Sequence, residues 1–185
     1  EESGAGPEFV ASAMSHLNDL DRYCRGATCR HRSLVEYFGQ TLSGDNCKAC
    51  DVCLGDTQEV PDAVTVAKKI LSCVARVKES FGAGHVVSIL HGDDTEALRS
   101  RKHHELSTYG LLKTSPKNSI RDWVHQLVGQ GVLVQTADQY PILKLNKASW
   151  AVMRGEKSVR LIEIARGRRE KPAPVAAGVA DDDTR

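Results

Sequence analysis

Three cysteines fall close together as Cys47-x2-Cys50-x2-Cys53. Thiols three residues apart do not readily pair with one another in a relaxed loop, but their thiolates can all turn toward one ion. A chain with this run therefore builds one segment around a metal, because a stretch so short in apolar residues cannot fold by burial alone. A closed tetrahedral site needs a fourth ligand, from Cys24, Cys29, Cys73 or His31. Cys29 is the choice: it falls near the N-terminal end of a predicted helix, where the dipole stabilises a thiolate. Cys24 is the nearest competitor. Cys73 lies on the core side of a later helix and reads as a small buried hydrophobe. An iron–sulfur cluster is the rival occupant, since ferredoxins share the Cys-x2-Cys-x2-Cys run, but theirs continues to a further Cys and Pro. Here Leu54-Gly55-Asp56 follows, so a structural zinc ion is expected, one per chain. The chain opens Glu-Glu-Ser-Gly-Ala-Gly, with no secretory signal, so a reducing compartment is expected and ligation is favoured over disulfides. The first residue is not Met, which suggests a piece of a longer chain.

The remaining pattern predicts an α+β chain, mostly α. Residues 1–12 are small, polar or acidic and are expected to be poorly ordered. The zinc-binding module is placed at 13–58. Within it Met14, Leu17, Leu20 and Tyr23 recur at helical spacing, and Gly26 stops that helix. Thr28 is the predicted N-cap of a second helix carrying Leu34, Val35 and Phe38 and ending at Gly39. A second domain is placed at 60–155. It starts with a helix on Val66, Ile70, Val74, Val77 and Phe81, ended by Gly82, then a short apolar helix over 86–90. Ser115 and Pro116 read as N-cap and first residue of a third helix, with its stripe on Ile120, Trp123, Val124, Leu127 and Val128. Two β-like runs follow, 132–134 and 142–145, then a helix near 146–154. Three helices and a two-stranded hairpin, in that order, make a winged helix. Residues 156–185 read as linker or disordered tail, in which Val159, Leu161, Ile162 and Ile164 are expected to pack briefly.

Charge narrows the function. Lys+Arg 25 against Asp+Glu 24 gives a net charge of +1, which excludes a protein that coats nucleic acid through bulk charge. Locally the balance differs. Arg99, Arg101, Lys102, Lys113, Lys117 and Arg121 face only Glu105 between 97 and 121, a local excess of +5. Ser119 and the helix start at Ser115-Pro116 add donors suited to phosphate. Such contacts position a duplex without reading its sequence. His103 and His104 read as structural, and Trp123 as core.

Two motifs resemble the RecQ family of DNA helicases, most closely its bacterial members. One is Thr28-Cys29-Arg30-His31-Arg32-Ser33-Leu34-Val35-Glu36-Tyr37-Phe38-Gly39, followed by Asn46-Cys47-Lys48-Ala49-Cys50-Asp51-Val52-Cys53-Leu54. The other is Arg76-Val77-x3-Phe81-Gly82-x-Gly84 with Lys102-His103-His104-Glu105-Leu106-Ser107-Thr108-Tyr109-Gly110. The resemblance covers roughly 15–155. It implies the zinc and winged-helix (RQC) region of an ATP-dependent 3′-to-5′ helicase of DNA repair and recombination, in the cytoplasm at the nucleoid. It implies duplex and junction DNA as ligands, and a wing hairpin that separates strands through its tip, here Gln139 and Tyr140. It also implies a site for the acidic, Phe-ending tail of single-stranded-DNA-binding protein, with Arg76 and Arg154 at the matching basic positions. Trp150 stands where a further basic residue is expected. The family's ATPase lobes are absent, with no Gly-x4-Gly-Lys-Ser/Thr loop in the chain, so no ATP site and no enzymatic activity are expected of this segment. A zinc/winged-helix transcription regulator and a protein-interaction module are the alternatives. Base-edge readers exposed along 117–131 would favour the regulator.

Overall fold

The computed structural model describes residues 6–44, 46–136 and 140–164. Helix α1 (Pro7–Arg25) begins ahead of the apolar periodicity, because Pro7 fits a first turn whose N–H has no partner to lose. The expected disorder of 1–12 is thus corrected from Pro7 onward, and residues 1–5 lie outside the described residues. Helix α2 (Arg30–Tyr37) closes the hairpin. Cys29, not Thr28, takes its N-cap position, and the Thr28 hydroxyl lies 3.0 Å from that of Ser33 instead. After a loop comes the single turn α3 (Asp51–Leu54), ended by Gly55 at φ 81°, a conformation that favours glycine. The apolar row expected on α1 remains exposed: Met14 52%, Leu17 58% and Leu20 57%.

The second unit is the winged helix. Strand β1 (Gln58–Glu59) leads into α4 (Ala63–Arg76), α5 (Ala83–His91), α6 (Glu96–Ser100) and a 3₁₀ turn (His103–Glu105). Then come α7 (Lys117–Gly129), β2 (Leu133–Gln135), β3 (Leu143–Leu145), α8 (Lys147–Arg154) and β4 (Ile162–Glu163). Ile70, Leu71, Ile89, Leu90, Ile120 and Leu127 are fully buried where α4, α5 and α7 meet. Burying each such side chain contributes about 1.5–3 kcal/mol. Trp123 and Cys73 are buried in the same core, and burial pushes the Cys73 thiol up to about 11, leaving it inert.

Helix α4 stops at Arg76 rather than running to Phe81. Lys78 and Glu79 adopt left-handed backbone, φ 54° and 53°, and turn the chain before Phe81 reaches helical register. Helix α7 begins at Lys117 with Pro116 at its N-cap position, so Ser115 does not cap it. Helix α8 carries a reciprocal capping box between Asn146 and Ser149.

The brief packing expected within the tail takes the form of a strand. Strand β4 pairs antiparallel with β1, Gln58 opposite Glu163 and Glu59 opposite Ile162. Leu161 and Ile162 are buried. The Gln126 side chain both donates to the Ile162 carbonyl and accepts from its N–H, each at 2.9 Å. Gln130, one turn on, does the same for Arg160 at 2.7 and 3.3 Å. These two amides act as a strand edge built on a helix. Residues 165–185 lie outside the described residues.

Candidate metal centre and nucleic-acid interface

The zinc module brings together one ligand before a helix and three from a loop. Cys29 precedes α2, Cys47 lies in the loop, Cys50 precedes α3 and Cys53 sits within it. Their four sulfurs lie within 4.8 Å of one another. Tetrahedral zinc–thiolate bonds of about 2.3 Å place sulfurs about 3.8 Å apart, so this cluster needs little adjustment to close on zinc. Cys24 is exposed and His31 is not part of the cluster. Burial opposes ionisation of Cys50, but the backbone N–H groups of Arg30 and Cys53 point at its sulfur and hold it down to about 6. Cys53 goes the other way, to about 12: the N–H of Cys47 favours its thiolate, but burial and the three neighbouring sulfurs outweigh it. Four thiolates so close need a cation, which is the chemistry of a structural zinc site.

Arg30 ties this cluster to the hairpin. Its guanidinium reaches both Asp51 carboxylate oxygens, at 3.0 and 3.1 Å, and the carbonyls of Tyr23 at 2.5 Å and Gly26 at 3.0 Å. The ion pair with Arg30 holds the Asp51 carboxyl below the usual range. Sequence reasoning passed over both residues. The available signal was adjacency: Arg30 directly follows Cys29, and Asp51 directly follows Cys50.

The six expected DNA-contacting cations do not form one free face. Lys117 pairs with Asp93, and Arg99 makes a two-pronged pair with Asp94. Both carboxylates lie just upstream of the stretch over which the +5 was reckoned. Asp93 stays below the usual range despite burial, because Lys117 and His91 donate to it. Arg101 lies 5.7 Å over the Phe81 ring. Lys102, Lys113 and Arg121 are exposed. The Ser119 hydroxyl donates to Glu163 at 2.9 Å and is committed within the fold.

Helix α7 has little surface left for base edges. Of its residues only Asn118 and Arg121 are exposed. Asp122, 2% exposed, accepts from Arg25 of α1 at 2.7 Å, so the zinc module packs on α7. Gln126, a side chain of the base-reading type, is buried against β4. At the wing, Thr136 closes the loop end of the strand pair, its N–H bonded to the Ile142 carbonyl and its hydroxyl accepting from the Ile142 N–H. The Pro141 carbonyl lies 2.6 Å from where a Gly82 Cβ would stand, so only glycine lets the wing lean on the start of α5. Tyr140 is 79% exposed. Gln139 lies outside the described residues.

A helical hairpin with a four-cysteine cluster, mounted on a winged helix, defines a class of winged-helix proteins that carry a metal module. Residues 57–170 match the RQC domain family, and residues 1–54 match the RecQ zinc-binding family. The chain belongs to the RecQ family, of which it carries these two regions. It is similar to the ATP-dependent DNA helicase RecQ of Haemophilus influenzae, 31% identical over 146 residues, 78% of this chain and 23% of that protein. It is similar to the protein of the same description from Bacillus subtilis, 29% identical over 170 residues, 92% of this chain and 27% of that protein. The ATP-dependent DNA helicase Q-like SIM of Arabidopsis thaliana is 38% identical over 63 residues, 34% of this chain and 7% of that protein. The chain thus spans about a quarter of the length of its bacterial relatives. The family read from the two sequence motifs is borne out. Among the described residues no helix is long and apolar enough to cross a membrane.

Proposed function

We propose that the chain is the DNA-binding part of an ATP-dependent 3′-to-5′ RecQ-type helicase acting in repair and recombination at the nucleoid. It grips duplex and junction DNA and separates strands with the wing, and ATP is bound and hydrolysed elsewhere in such a helicase, not by this segment. The observation that carries the reading is the covering of α7 by α1 and β4. A transcription regulator needs that helix free to read base edges. With Asn118 and Arg121 its only exposed residues, contact is left to the phosphate backbone.

Arg101, Lys102, Lys113 and Arg121 supply most of that contact, while Lys117 and Arg99 first have to leave their carboxylates. Lys113→Ala with Arg121→Ala is therefore expected to weaken unrelated duplexes equally, and to lower the slope of log K against log salt by about 2. Loss confined to one sequence would favour the regulator. Tyr140 supplies the flat ring at the wing, and stacking on a terminal base pair is worth about 1–3 kcal/mol. Tyr140→Ala in a full-length helicase is expected to slow unwinding several-fold with duplex affinity unchanged. Equal loss of both would make Tyr140 an anchor instead of a wedge.

One zinc ion per chain would be held by Cys29, Cys47, Cys50 and Cys53, and its role is to fold the hairpin. Docking of the tail of single-stranded-DNA-binding protein rests on Arg76 and Arg154. Arg154 is engaged by Glu156 at 2.6 and 2.8 Å, so Arg76 is the better supported of the two.

A further inference from the structure

A shallow groove of about 320 Å³ runs along α4, walled on one side by the turn at 107–111. Its floor is Thr65, Lys68, Lys69, Ser72 and Arg76, and its wall is Ser107, Thr108 and Leu111. No carboxylate lines it, and α4 itself carries none. Among the described residues Lys68, Lys69 and Arg76 form no ion pair, whereas Arg22, Arg25, Arg30, Arg99, Lys117 and Arg160 are each paired. Lys69 reaches the Leu111 carbonyl at 3.4 Å, which fixes the wall against the floor.

We propose that this groove is a second nucleic-acid site, one that holds the sugar–phosphate backbone of a single strand. Lys68, Ser72 and Arg76 recur every four residues, and Thr65 and Lys69 form a parallel row. Four residues rise about 6 Å along a helix axis, a step comparable with that between successive phosphates of an extended strand. Cations alternate with hydroxyls along these rows, which suits bridging phosphate oxygens. The groove's volume of about 320 Å³ suits the backbone of one strand rather than the bulk of a duplex. It presents no aromatic ring, so bases are left unread and binding is indifferent to sequence. None of its cations belongs to the set expected to grip the duplex, so those two sites can be lost separately; Arg76 is shared with the tail-docking reading, which the peptide arm of the test separates. An acidic peptide with an aromatic end fits less well, because Leu111 is the sole apolar side chain available to receive the ring.

The test is fluorescence anisotropy of the whole chain with labelled oligothymidine and, separately, a labelled blunt duplex. Lys68→Ala, Lys69→Ala and Arg76→Ala combined is expected to weaken oligothymidine by about tenfold or more. Three lost phosphate contacts are expected to lower the single-strand salt slope by about 2. Duplex affinity is expected to stay within about twofold, because the Lys113 and Arg121 contacts are intact. The Lys113→Ala, Arg121→Ala variant is expected to show the reverse pattern, which separates this site from the duplex reading. Oligothymidine binding unchanged in the triple variant overturns the proposal. So does a groove that loses a synthetic acidic, Phe-ending peptide while keeping oligothymidine. Circular dichroism melts check folding, and the single charge reversal Lys69→Glu provides a second variant if the triple one melts early. A reversal that leaves oligothymidine affinity intact overturns the proposal equally.

Discussion

Arg30 supports the cysteine cluster by holding Asp51 and the carbonyls of Tyr23 and Gly26 while its own N–H points at the Cys50 sulfur. Arg30→Ala is expected to lower hairpin stability by about 1–2 kcal/mol, less than a fully buried network because Asp51 is half exposed. Zinc competition against a chelator, read beside a double-mutant cycle with Asp51→Ala, checks this; additive losses would mean the pair contributes nothing. A second residue-scale prediction concerns His85. Its ring stacks on Phe81 at 4.2 Å and lies 2.8 Å from the His103 ring nitrogen. Burial, then the neighbouring His103 and Arg101 charges, lower its pKa to about 4. The folded chain thus prefers neutral His85, while the unfolded chain takes up its proton near 6.5. Stability from this group is complete above about 6.5 and is lost as pH falls toward 4. Urea melts of wild type and His85→Phe at pH 7 and 4.5 are expected to diverge, with the variant losing less on acidification.

At the scale of elements, helix α7 is used on nearly every side: by α5 in the core, by α1 through Asp122, and by β4 through Gln126, with Gln130 just past the helix end bonded to Arg160. That coverage turns a potential recognition helix into a hub. Gln126→Leu keeps the bulk but leaves the buried Ile162 N–H and carbonyl without their partners. Each such group costs about 1–3 kcal/mol, so a loss of about 2–3 kcal/mol is expected in chemical denaturation. A loss under about 0.5 kcal/mol would mean water replaces the amide. The exposed row of Met14, Leu17 and Leu20 on α1 shows that helical periodicity can forecast an element correctly while its apolar face stays open among the described residues.

At the scale of the whole molecule, the two units share one clasp. Arg160 bonds Glu59 at 2.7 Å and donates twice to the Val52 carbonyl at 3.2 Å, while Val60 N–H bonds the Leu161 carbonyl. Chain from beyond the winged helix therefore binds both the zinc module and the strand that leaves it. Truncation after Glu156 removes buried Leu161 and Ile162 and uncovers Gln126. It is expected to lower the melting temperature by several degrees and to split one cooperative transition into two, seen by calorimetry. A single unshifted transition would make the segment dispensable.

The zinc ligands, the helix order and the wing were legible in the sequence because their signals are local: ligand spacing, apolar period, turn residues. The fourth ligand was also legible, since a helix start is a sequence feature and favours a thiolate. The usable charge was not. Lys117 and Asp93 stand 24 residues apart and Arg25 and Asp122 stand 97 apart, and such pairs form only when packing brings distant elements together. The same holds for 159–163: its apolar residues were legible as packing, but that they form a strand on β1 and α7 was not, because those partners are distant in sequence. The four cysteines that cluster were thus legible in the sequence, while tertiary structure alone decided which cations remain exposed and which helix face is closed.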